Sequence, residues 1–179
     1  EPLSADDPAH LPRAPRPPVA LLDPAPPLDE DALYDLVVED ALDGLRGLAR
    51  DRWEAPLALR ASAEERLLAS VDAIAITGGR VVERVLGWWD RALEMPGPWA
   101  SWIAAFTLGC LAGGDAQLAA LHGIERLPPG ADTHAAAAAD ALAIASPPTL
   151  GDLAADLLDS PHPLARAAGI EILGRARSL

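Results

Sequence analysis

The sequence predicts an all-α protein, and three observations carry that prediction. Ala and Leu dominate the apolar residues while aromatics make up only 4%; Ala and Leu favour helix, whereas strands draw on Val, Ile, Tyr and Phe. From Leu28 onward, apolar residues recur at three- and four-residue steps, the spacing of one helix face. Clusters of Pro and Gly cut that pattern into pieces of helix length. With 179 residues, half of them hydrophobic, the chain is large enough to bury a core.

The first 27 residues hold nine of the 18 prolines, centred on Pro12, Pro15, Pro17 and Pro18. Proline lacks the N–H that helix and sheet require, so residues 1–27 read as an extended arm or linker, tacked down by Val19, Leu21 and Leu22. A Pro-rich recognition peptide is the functional alternative. A helix follows over 29–51, with Leu33, Leu36, Val37, Ala41, Leu45 and Leu48 inward and Asp35, Glu39, Asp43, Arg46 and Arg50 outward. Pro56 lies beyond its end. Ser62 reads as an N-cap, completed by Glu65, and opens a helix over 63–77. Its stripe is Leu67, Leu68, Val71, Ile74 and Ala75, and Gly78 and Gly79 end it.

The next helix, from Arg80, turns Val81, Val82, Val85, Leu86, Trp89 and Leu93 to one side, and Pro96, Gly97 and Pro98 stop it. Trp99 to Leu111 is apolar nearly all round. About 14 helical residues span roughly 21 Å, short of the ~30 Å hydrocarbon core, so this is a buried central helix and not a membrane span. Asp115 opens a helix with Leu118, Ala119, Leu121 and Ile124 inside. Pro128 and Pro129 precede an Ala-rich helix over 132–145 that lets its neighbours come close. After Pro147 and Pro148, Leu150, Leu153, Ala154, Leu157 and Leu158 form a stripe. Pro161 and Pro163 lead to the last helix, with Leu164, Ala167, Ala168, Ile170, Ile172 and Leu173 inward and Glu171 and Arg175 paired in solvent.

The last six helices repeat. First helices begin near Arg80, Asp115 and Thr149, and second helices near Trp99, Asp132 and Pro163, each series advancing by roughly 31 to 35 residues. A Pro-bearing turn joins each pair. The fold expected is a right-handed α-solenoid of hairpins 80–112, 115–145 and 149–177, preceded by the helices 29–51 and 63–77, within a helical-repeat domain over 28–179.

The segment from Leu150 to Ala176 resembles a HEAT repeat: a helix, a turn with Asp159 and Pro161, then Arg166 and the small residues Ala167, Ala168 and Gly169. The resemblance implies that Asp159, Pro161 and Arg166 stabilise the turn between stacked units. Ala63 to Gly79, followed by three such hairpins, is similar to a bacterial HEAT-like family often encoded near type VI secretion genes. That similarity implies a cytoplasmic bacterial adaptor or type VI secretion accessory and brings no catalytic residues.

No assembled chemistry stands against that reading. His10, His122, His134 and His162 share no ligand spacing, so no metal is expected. Cys110, alone on the most apolar segment, reads as an inert buried thiol and cannot form an internal disulfide. Gly78 and Gly79 follow no strand and make no phosphate loop. The acidic residues lie on polar helix faces, and no cofactor is implied. A net charge of −13 repels nucleic acid and anionic lipid; a basic groove of Arg80, Arg84, Arg126 and Arg166 would be needed to reverse that. The function expected is a protein-binding scaffold on the second-helix surface. Trp88 and Trp102 are candidate anchors, since Trp buries much area at little entropy cost, and His134, Asp140, Glu171 and Arg175 are polar contacts. Two alternatives stand: an immunity protein masking a basic effector by charge complementarity, and an enzyme whose site assembles from distant residues such as His122 and His134. The apolar Leu173 and Leu179 near the chain end imply further repeats after Leu179, or a covering partner.

Overall fold

The structure, a computed structural model, describes residues 29–54 and 57–176; for residues 51–54, 57–61 and 176 it describes backbone alone. The Pro-rich segment 1–27, Pro56 and the end at Leu179 lie outside the described residues. Those described residues form eight helices and no strand: α1 (Glu30–Glu54), α2 (Leu57–Ala75), α3 (Val81–Ala92), α4 (Trp99–Cys110), α5 (Gly114–Glu125), α6 (Asp132–Ala145), α7 (Leu150–Asp159) and α8 (Pro163–Ala176). The fold class is all-α.

Local chemistry sets the helix ends. The Asp29 carboxylate accepts the Asp31 backbone N–H at 3.1 Å, a side-chain N-cap that satisfies one of the orphan donors of α1. Gly97, between two prolines, takes φ +86°, a left-handed conformation that costs glycine little. The expected cap at Ser62 is corrected: α2 begins at Leu57, so Ser62 sits within the helix, where it is exposed.

The second helices α4, α6 and α8 lie in a row, with α6 between the other two. Of the first helices, α5 packs against α3 and touches α7, while α7 lies along α8. α1 packs along α2 and also against α3 and α4. The middle pair departs from a regular hairpin: α5 and α6 follow each other in the chain, but α5 packs mainly against α4 and α3, and α6 against α4 and α8.

Three helical glycines mark the closest approaches. A Cβ on Gly123 would stand 2.2 Å from the Trp89 ring, one on Gly109 2.7 Å from the Ala145 Cβ, and one on Gly169 3.0 Å from the Ala154 carbonyl. Each is a place where α3 meets α5, α4 meets α6 and α7 meets α8 with no room for a side chain.

Most of the expected stripes are buried, Leu67, Val71 and Ile74 in α2 and Leu153, Ala154 and Leu157 in α7 among them, but several of their members face outward. In α1, Val38, Leu42, Leu45 and Ala49 are buried, whereas Leu33, Leu36 and Val37 are exposed. Leu68, Leu118, Ile170 and Leu173, also expected inside, face solvent. In each case the adjacent residue is buried: Leu67, Ala119 and Ile172, themselves expected inside, and Gly169, which was not. Helices this rich in Ala and Leu offer two adjacent apolar faces, and the neighbour's position selects one.

Candidate functional site

The row of second helices carries a groove. Pro98, Trp99 and Trp102 wall it from α4, Ala136, Ala137 and Asp140 from α6, and Arg175 from α8; its volume is about 290 Å³. The space follows from the sequence, since two alanines face two tryptophans. Trp102 itself is buried at 3% exposure, its ring stacked on Phe106 with centroids 5.0 Å apart and planes at 14°.

A polar chain crosses all three helices beneath this groove. Trp102 Nε1 donates to Asp140 Oδ2 at 2.8 Å. Arg175 Nη1 donates to the other carboxylate oxygen of Asp140. Arg175 also donates from Nη2 to Glu171 Oε1 at 2.8 Å. Asp140 is only 6% exposed, and a buried carboxylate is tolerable where both oxygens are bonded. The hydrogen bond to Glu171, with the charges of Asp140 and Glu171, raises the Arg175 pKa. Four of the expected site residues, Trp102, Asp140, Glu171 and Arg175, thus belong to one chain. Glu171 and Arg175 form the expected i,i+4 pair.

His134 belongs to a second chain, which sequence reasoning missed through Ser101. Trp89 Nε1 donates to Ser101 Oγ at 3.0 Å, and Ser101 Oγ lies 2.9 Å from His134 Nδ1. Ser101 Oγ, which accepts from Trp89, can give its own proton to Nδ1 when the imidazole is neutral and protonated on Nε2. Burial lowers the His134 pKa, in agreement. A Ser–His contact invites a nucleophile reading, but Ser101 is fully buried and its Oγ is already engaged on both sides. The only sequence signal for Ser101 was a hydroxyl residue in a helix whose one other is Thr107.

Trp88 is corrected as a surface anchor. It is buried at 2% exposure, because α1 covers the α3 face that sequence periodicity left open. It floors a cleft of about 450 Å³ between α1 and α3. The charges there are interlocked: Arg84 reaches Asp31 at 2.9 Å and Asp35 at 2.6 Å, and Arg91 reaches Glu39 at 3.5 Å. Arg84 also lies 5.5 Å from the centre of the Tyr34 ring.

In the α7–α8 turn, Arg166 Nη1 donates to the carbonyls of Ser160 and Pro161, both at 2.9 Å. The inter-unit bond runs through Ser160, whose Oγ donates to Glu125 Oε1 on α5 at 2.6 Å. Asp159, expected to take part, is exposed, one position short of that contact. Arg80, Arg84, Arg126 and Arg166, the four arginines a basic groove would need, are bonded to carboxylates or carbonyls.

Cys110 is partly buried; burial, with the Asp72 charge, pushes its pKa up to about 11, which disfavours the reactive thiolate. Among the described residues no group of His, Cys, Asp and Glu is placed to hold a metal ion, and no helix is long and apolar enough to cross a membrane. No protein-family model, curated protein or solved structure matches the chain.

Proposed function

We propose that the protein is a non-catalytic scaffold or adaptor of the α-solenoid kind, docking a partner protein in the second-helix groove. The observation that carries this reading is the groove itself. It is open, walled by Trp99, Trp102 and two alanines, and placed along the row α4–α6–α8. Stacked helical hairpins present such surfaces to partners, and the part-exposed Trp99, with Ala136 and Ala137 opposite, is the aromatic a partner can cover. Its volume of about 290 Å³ is at the lower edge of the ~300–1,000 Å³ typical of small-molecule sites, which suits one or two side chains of a protein ligand. The row of second helices beside α3, α5 and α7 supports the solenoid reading, with the splayed α5–α6 pair as its irregular unit. The polar chain from Trp102 to Glu171 fixes the spacing of the three helices that form the floor.

The likeness to HEAT-like proteins encoded near type VI secretion genes makes a cytoplasmic bacterial assembly the setting we favour. The test is affinity capture of one partner from native lysate of the source bacterium, followed by binding measurements with purified components. Ala136→Arg, which fills the groove, should reduce that binding at least tenfold while the circular dichroism spectrum stays unchanged. Equal binding by the variant would overturn the reading.

A further inference from the structure

We propose that the solvent face of α1 is a second docking surface, one that takes an amphipathic helix with basic flanks from a partner protein. This surface is separate from the groove between α4, α6 and α8, and stands whether or not that groove binds a partner. Its apolar residues are ones that periodicity expects inside and the fold leaves outside. Leu33, Tyr34, Leu36 and Val37 are exposed, Leu36 to 65%, and Ile76, just past the end of α2, to 83%. Arg84 ties the two helix ends together: it reaches Asp31 and Asp35 on α1 and the carbonyl of Thr77, which follows Ile76. Five of the ten large apolar residues exposed among the described residues thus gather at one end of the α1–α2 hairpin. Scattered exposed apolar side chains are ordinary, whereas a gathered set marks an interface. The helix lengths leave this end uncovered. α1 has 25 residues and α2 has 19, and the two pack as a pair, so α2 runs out beside the first turns of α1.

Spacing and charge define the occupant. Leu33, Val37, Asp40 and Gly44 stand at i, i+4, i+7 and i+11 and are all exposed, the seam that one helix offers another. Gly44 lies within α1, where glycine is destabilising, and a Cβ there would meet nothing. Its bare backbone is open to close approach from outside, as the backbones of Gly109 and Gly123 are approached by neighbours inside the fold. The charge beside the seam is one-sided. Glu30, Asp40 and Asp43 are exposed, and no ion pair among the described residues engages them. The nearby Arg80 and Arg84 are already held by Asp31, Asp35 and Glu83. Basic groups flanking an apolar stripe are the complement of such a surface. A second copy would set acidic rim against acidic rim, and nucleic acid or an anionic membrane is repelled for the same reason.

The probe is a synthetic peptide of about 18 residues, with Leu along one helical face and Lys on the other. Its binding to the full chain is followed by fluorescence anisotropy at about 0.15 M salt. The wild type should bind the peptide. The triple variant Leu33→Ser, Leu36→Ser, Val37→Ser should bind it about tenfold more weakly, with its circular dichroism spectrum unchanged. That variant keeps every charge, so equal binding would mean attraction by net charge alone and would overturn the proposal. Asp40→Lys should weaken the Lys peptide and strengthen a matching Glu peptide; no change in either counts against the seam. Ala136→Arg should leave peptide affinity as it is, and a loss there would put the peptide in the groove instead. A wild-type dimer in sedimentation that the triple variant makes monomeric would assign the face to a second copy and overturn the proposal as well. If Ala136→Arg still blocks the groove's own partner while the peptide results fail, the groove reading survives and this surface does not.

Discussion

The row α4–α6–α8 and the α1–α3 contact hold helices together by opposite means. In the row, small residues let backbones meet: Gly109 against Ala145, with Ala138, Ala139, Ala141 and Leu142 fully buried. The polar bonds there sit on buried atoms, Ser101 and Asp140. At α1, Val38, Leu42 and Leu45 supply the core, but the rim is a lattice of ion pairs whose acidic members are mostly exposed. Close packing is indifferent to salt, while exposed ion pairs are screened. The second-helix row should therefore behave as a fixed floor and α1 as an adjustable flank.

The strongest way to break that contrast is to put a side chain where a backbone meets a ring. Gly123→Ala sets a Cβ inside the Trp89 ring's van der Waals surface, and overpacking of this kind costs about 3 kcal/mol; urea unfolding should show it. Asp140→Ala strands the buried Trp102 N–H, whereas Arg175 can turn to water, so the expected loss is about 2 kcal/mol. Arg84→Ala should cost about 1 kcal/mol at low salt and less at 1 M salt. Hydrogen exchange should localise its effect to α1, and equal protection of α1 and α6 in that variant would erase the distinction.

Smaller effects sharpen it. His134 has its pKa lowered by burial, so the unfolded chain takes up the proton first. Stability contributed by this site is complete above about pH 6.5 and falls as the pH drops through the lower folded value. Comparing urea midpoints at pH 7.5 and 5 for the wild type and His134→Gln isolates that share; an identical pH response in the two proteins would remove His134 as its source. Last, Thr107 Oγ1 is buried without a hydrogen-bond partner. Thr107→Val, of similar shape, should leave stability unchanged or raise it by up to about 1 kcal/mol, measured by the same unfolding curves.

The helices were legible because Pro and Gly mark their ends: the span expected over 115–145 contains α5 and α6, to within a residue at its start. Which face each helix buries was less legible. Leu36 and Leu42 are equally apolar, and only the positions of the helices packed on α1 (α2, α4 and α3) decide that Leu42 goes inside. Trp88 shows the same limit. The members of the candidate site were legible singly, as Trp, Asp and Arg in unusual places, but their connection was not. Trp102 and Asp140 are 38 residues apart and Asp140 and Arg175 are 35 apart, and separations of that kind become contacts only through helix stacking. Helical glycines did not separate the close approaches either: a Cβ would clash at Gly109, Gly123 and Gly169 but meet nothing at Gly44, Gly47 or Gly174.

Trp89 joins three helices at once: it belongs to α3, lays its ring on Gly123 of α5, and gives its N–H to Ser101 of α4. One chromophore therefore registers both neighbours, the ring through van der Waals contact and the nitrogen through its hydrogen bond. A slip of α5 would change the packing around the ring, and a rotation of α4 would free the indole proton. The protein thus carries an internal gauge of its own layer spacing, one that an optical or indole-proton measurement can read without any added label.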